Sequence, residues 1–114
     1  MKALFVELPA FERHRAKYLD DGAYRMLQLE LLKAPTAGDE IQGTGGLRKL
    51  RFADVRRNKG KRGGLRVIYF WWPLGGQIWL FTLYDKDEVS DLTPQERKQL
   101  KTMIKAELAA RSNP

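Results

Sequence analysis

The stretch LRVIYFWW (65–72), PLGG (73–76) and QIWLFTLY (77–84) decides the fold. Both octets are rich in β-branched and aromatic residues, and a Pro/Gly turn separates them. That pattern predicts an antiparallel hairpin. The longest apolar run, Val67–Leu74, falls far short of the ~18 residues that span a bilayer. A two-stranded hairpin is marginal alone and needs neighbours. Upstream, LRKLRFA (47–53) reads as a third strand. It sets Leu47, Lys49, Arg51 and Ala53 on one face and Arg48, Leu50 and Phe52 on the other.

Further toward the N-terminus, Ala3–Glu7 reads as a short first strand. Pro9 suits the first position of a helix that carries Phe11, Arg15 and Tyr18 on one face. Asp20 or Asp21 can cap a second helix with Tyr24, Leu27, Leu31 and Ala34 as its apolar stripe, Leu29 and Leu32 beside them, and a stop at Ala34-Pro35. Residues 35–46, with Gly38, Gly43, Gly45 and Gly46, read as a loop. Downstream, Thr93, Pro94 and Glu96 form a capping box that opens a last helix running to about Ala110, with Leu100, Met103, Ile104 and Leu108 on one side. The order β-α-α-β-β-β-α predicts an α+β domain, an antiparallel or mixed sheet with helices against one face. With 114 residues, 43% of them hydrophobic, one domain over 1–114 is expected.

The charge is uneven. Net charge is +7, yet residues 48–66 hold nine cations against Asp54 alone, or +8. These are Arg48, Lys49, Arg51, Arg56, Arg57, Lys59, Lys61, Arg62 and Arg66. Two readings stand: a solvated loop that keeps the protein soluble, or a footprint for a polyanion, most often nucleic acid. Cations alternating with apolar residues on strands are costly to bury singly. They are expected on an open, wet sheet face, where Lys49, Arg51 and Arg66 converge if the helices cover the other side. Equally, they can solvate that face or pair with Asp85, Asp87 and Glu88. Tyr84, at the strand end, either plugs the core edge or presents its hydroxyl to a site. Trp71 and Trp72 face opposite ways, so at least one is core.

Other chemistries are excluded or weak. With no cysteine, disulfides, thiolate catalysis and Cys-ligated zinc are ruled out, and the single histidine, His14, leaves no His pair. The acids are scattered, with no pair suited to a metal or a glycosidase site. The glycine clusters 43–46 and 60–64 match no phosphate-loop pattern. The N-terminus, MKALFVELPAFERHR, lacks the apolar run of a signal peptide, so a cytoplasmic protein is expected, with no membrane contact and no cofactor.

GGLRKLRFA (45–53), GGLRVIYFW (63–71) and LFTLYDKDEVSDLTPQERKQL (80–100), together with the basic loop between them, resemble the RelE/ParE superfamily of bacterial toxins, and within it the HigB branch. The likeness covers nearly the whole chain. It implies a small curved sheet with two N-terminal helices packed on it. It also implies a type II toxin of a toxin–antitoxin system, a ribosome-dependent mRNA interferase that cuts the A-site codon and stops translation. The expected partners are the 30S A site with its rRNA, the mRNA, and a neighbouring helix-turn-helix (HigA-like) antitoxin. Lys49, Arg51, Arg66 and Tyr84 fall at the family's catalytic positions. Arg48, Arg56, Arg57, Lys59, Lys61, Arg62 and Lys86 are the implied RNA-binding residues. Two features depart from the pattern: Asp85-Lys86-Asp87 holds no arginine after the last strand, and no histidine lies near the site. The alternative within the superfamily is a ParE-like poison of DNA gyrase without nuclease activity.

Overall fold

The computed structural model describes residues 3–53, 64–89 and 91–112. Its elements are β1 (Leu4–Glu7), α1 (Pro9–Tyr18), α2 (Asp21–Lys33), β2 (Asp39–Glu40), β3 (Arg48–Phe52), β4 (Leu65–Trp72), β5 (Gln77–Asp85) and α3 (Pro94–Ser112). The strands form one sheet in the order β1-β5-β4-β3-β2. β1 runs parallel to β5, and the other pairs are antiparallel. The α+β class and the predicted hairpin are thus as expected.

Local chemistry sets the element ends. Pro9 occupies the first turn of α1. Asp20 caps α2, its carboxylate accepting from the Ala23 N–H at 2.7 Å. At α3 the box closes both ways: Thr93 N–H donates to Glu96 Oε1 (2.8 Å) and Glu96 N–H to Thr93 Oγ1 (3.1 Å). In the turn before β3, Thr44 is fully buried. It donates to the Ile41 carbonyl at 2.6 Å and accepts from Leu47 N–H at 3.2 Å, while Gly43, Gly45 and Gly46 take positive φ.

β2 was not foreseen: residues 35–46 carry no apolar alternation, yet Asp39 and Glu40 pair with Lys49 and Arg48. Gly38 explains the docking. Its N–H donates to the Tyr69 hydroxyl (2.9 Å), which donates in turn to the Pro35 carbonyl (2.7 Å). A Cβ on Gly38 would sit 2.9 Å from the Tyr69 ring and 3.0 Å from the Lys49 carbonyl carbon, so only glycine permits this approach.

The helices do not all lie on one face. From α1 and α2, Phe11, Tyr18, Leu19, Leu27 and Leu31 pack on Leu50, Phe52, Leu65, Val67, Tyr69, Ile78, Leu80 and Leu83. On the opposite face, Ile104 of α3 and Leu92 join Leu47, Ile68, Trp79, Phe81 and Tyr84, with Leu100 and Leu108 half-buried against them. β4 requires this second cover. Beyond Arg66 it is apolar on both faces, and a strand apolar on both sides must be covered on both. Two stripe assignments also fail. Leu29 and Met103 are exposed, Leu29 because it lies two residues, or about 200°, from Leu27 and Leu31 around α2.

One irregularity sets the face of Tyr84. Ile68 pairs with Thr82, but Tyr69 pairs with Leu80, so Phe81 has no opposite residue. This bulge inverts the alternation of β5. Before it, Ile78 and Leu80 face α1 and α2; after it, the odd residue Leu83 does so, and Tyr84 turns to the α3 side. Among the described residues no helix is long and apolar enough to cross a membrane.

Candidate functional site

Three adjacent strands carry the candidate side chains in register. Arg51 on β3 lies opposite Arg66 on β4, and Arg66 opposite Tyr84 on β5. One step along the same face, Lys49 lies opposite Ile68, which pairs with Thr82. Lys49, Arg51, Arg66 and Tyr84 therefore share the α3 face. The sequence reading placed its cations on an open, wet surface, and here it needs correction. Arg66 is 4% exposed and Tyr84 8% exposed, while Arg51 is exposed and Lys49 partly so. Tyr84 packs in one cluster with Leu92 and Ile104, on the face that a layout with every helix on the other side leaves bare.

The electrostatics follow from this crowding. Two guanidinium groups directly opposite across a strand pair repel. Burial and the neighbouring Arg51 push the Arg66 guanidinium below the usual arginine range, and Tyr84 opposes the shift. The Arg66 side chain also donates from Nη1 to the Leu65 carbonyl at 3.1 Å. Burial, and then the Asp91 carboxylate, hold the Tyr84 phenol above its usual range, against the pull of Arg66. Tyr84 is therefore a neutral phenol at pH 7, a proton donor rather than a phenolate base. Its hydroxyl is buried and has no hydrogen-bond partner among the described residues. An orphaned polar atom beside buried positive charge marks a place for an incoming ligand atom.

The sequence reading missed two residues. Asp91 accepts from Lys49 Nζ at 3.3 Å and from Arg97 Nη2 at 3.2 Å, joining β3 to the first turn of α3. The Leu92 N–H, at 2.7 Å, and then these cations hold the Asp91 carboxyl below the usual carboxylate range, although burial opposes them. The acid found on Lys49 is thus Asp91, not one of the three considered from sequence. Through this ion pair Lys49 already holds an anion at the edge of the site. Asp91 and Arg97 lie in the sequence 80–100, but no periodicity distinguishes them from the other charges there.

Other candidates lie elsewhere. Arg48 pairs with Tyr69, on the face away from the cations, and donates from Nη1 to the Gly38 carbonyl at 2.9 Å. That contact fixes the 35–38 segment and separates Arg48 from the row. Lys86 is exposed just past β5, its N–H bonded to the Gly64 carbonyl at 3.2 Å. Arg56, Arg57, Lys59, Lys61 and Arg62 lie outside the described residues. Trp71 packs toward α1 and α2, and Trp72 toward Trp79 on the other face, with ring centroids 5.5 Å apart. His14 is exposed on α1.

No protein-family model matches the chain. Among solved structures, the chain is similar to an arginine-to-alanine double mutant of the E. coli toxin RelE in the free state. That match has a TM-score of 0.54 and 13% identity over 79% of this chain and 90% of RelE. It is also similar to the isolated E. coli RelE toxin, with a TM-score of 0.52 and 11% identity over 90% of this chain and 99% of that one. The fold is that of RelE.

Proposed function

We propose that this protein is the toxin of a type II toxin–antitoxin system. On this reading it is an mRNA endoribonuclease that works in the ribosomal A site, in the cytoplasm, as a single toxin domain over 1–114. The observation that carries the reading is the row Arg51–Arg66–Tyr84, in register across β3, β4 and β5, with Lys49 on the same face of a RelE-like fold. The sequence likeness to the HigB branch supports that branch, and with it a helix-turn-helix antitoxin.

RNA carries its own nucleophile, the 2′-hydroxyl. The enzyme must place it in line with the phosphate, stabilise the phosphorane and protonate the departing 5′-oxygen, while the 2′-hydroxyl proton passes to a non-bridging phosphate oxygen and from there to water. Arg66, charged and largely withdrawn from water, stabilises the phosphorane strongly because its field is little screened. Arg51, exposed beside it, steers and holds the phosphate. Tyr84, a neutral phenol whose hydroxyl lacks a partner, supplies a hydrogen bond or a proton to the leaving oxygen. Lys49 adds positive charge at the rim. No histidine lies among these groups to shuttle the protons. Positioning must therefore supply much of the rate, and a ribosome that fixes the codon provides it. The basic stretch 48–66 supplies charge for rRNA phosphates. The alternative, a gyrase poison, has no use for cations converging on a buried phenol.

Induction of the protein in growing bacteria, followed by primer extension on mRNA and by pulse labelling, tests the reading. Translation should stop first, with cuts at A-site codons, and Arg66→Ala should abolish both effects. An SOS response with continuing translation and intact mRNA would sink it.

A further inference from the structure

Asp91 holds two cations at once, one of them Lys49 on the face of the candidate site. Its two oxygens lie 3.3 Å from Lys49 Nζ and 3.2 Å from Arg97 Nη2. Two cations from different elements, β3 and α3, thus converge on one small anion. The groups are partly exposed: the side chains of Lys49, Arg97 and Asp91 are 29%, 35% and 48% accessible. Ion pairs this wet contribute little to stability and exchange readily with another anion. Arg97 also has unused capacity, because its Nε is buried without a hydrogen-bond partner among the described residues. An RNA phosphodiester, like a carboxylate, presents two anionic oxygens and can take the same guanidinium and ammonium donors in its place. Nearby, the Tyr84 hydroxyl is likewise without a partner and feels both Asp91 and Arg97.

We propose that Lys49 and Arg97 form a phosphate subsite of the RNA-binding face, that the Asp91 carboxylate is its resident counter-ion, and that an RNA phosphate displaces that carboxylate on binding. Arg97 thereby becomes a substrate-binding residue contributed by α3, and Asp91 a built-in competitor that weakens binding of stray RNA. The inference rests on the RNA reading above, but it makes a separate demand. A merely structural bridge and an anion subsite predict different signs. If the Asp91–Arg97 contact only fastens α3, removing either partner breaks the same bridge, and both variants act alike. If it is a subsite, the two variants act in opposite directions.

The test uses the full chain, wild type, Asp91→Asn and Arg97→Gln. The probe is a short, fluorescently labelled single-stranded RNA with 2′-O-methyl groups, which can bind but cannot be cut. Asparagine keeps an acceptor for the Leu92 N–H, and glutamine keeps good helix propensity. Thermal unfolding of each variant confirms that it is folded. Asp91→Asn should bind the RNA roughly threefold tighter or more, and Arg97→Gln weaker by a similar factor, the scale of one partly exposed ion pair. The salt slope of binding should fall by about 0.7 in Arg97→Gln, one phosphate contact on a single strand. Weaker binding by both variants, or unchanged binding by Asp91→Asn, overturns the subsite and leaves the RNA reading intact. No binding by the wild type at low salt overturns the subsite, and the ribosome-dependent reading then stands or falls on primer extension alone.

Discussion

Tyr84 shows how burial converts a side chain into a chemical role. Its hydroxyl is enclosed and makes no hydrogen bond among the described residues. A buried polar group without a partner costs about 1–3 kcal/mol, so its removal should not destabilise the fold. Tyr84→Phe is expected to match or exceed the wild type in thermal stability and yet to lose A-site cleavage, as read by a melting curve beside primer extension. A drop of several degrees would mean that the hydroxyl is structural. Gly38 is the converse case, where function is absent and packing is everything. The Cβ of Gly38→Ala would meet the Tyr69 ring at 2.9 Å and the β3 backbone at 3.0 Å. Overpacking of that kind costs about 1–3 kcal/mol, and chemical denaturation would measure it. Tyr84 was legible from the sequence as a candidate with several roles open. Gly38 was legible only as a loop breaker, because the ring it touches comes from a strand 31 residues away.

Among the elements, α3 departs most from expectation in its placement, though not in its existence. Its start was readable because the capping box is local, and both hydrogen bonds are made. Thr93→Ala should cost about 1 kcal/mol by removing the cap. Ile104 is the residue of α3 most fully inserted into the sheet, at 2% exposure. Ile104→Ala should cost about 2–5 kcal/mol in denaturant unfolding, and it should raise the accessibility of Tyr84, visible as faster nitration of that residue by tetranitromethane, read by peptide mass spectrometry. The face that α3 covers was hidden, since an amphipathic helix shows that it needs a partner and not which partner. The short strand β2 and the bulge at Phe81 were hidden for a related reason. Both are defined by what lies opposite on another strand.

At the scale of the molecule, three tyrosines are shifted in the same direction. Burial, and then Glu7, push the Tyr24 phenol up to about 12, against the pull of Arg15. Tyr69 and Tyr84 are raised too, each first by burial. A phenol with a raised folded pKa binds its proton more tightly in the native state. That contribution is complete below the unfolded value near 10 and is lost as pH climbs through the folded value. Equilibrium unfolding should therefore show stability falling between pH 10 and about 12. Tyr24→Phe should shallow that fall, and an unchanged slope would reject the assignment. The amino-acid sequence by itself determined the hairpin, the helix caps, the α+β order and the concentration of positive charge over 48–66, because propensity, capping and charge act between chain neighbours. Tertiary structure alone decided that Tyr84 stands beside Arg66, that Tyr84 packs with Leu92 and Ile104 and that Asp91 bridges Lys49 to Arg97. These depend on an inserted residue and on cross-strand register, quantities that exist only once separate segments have met.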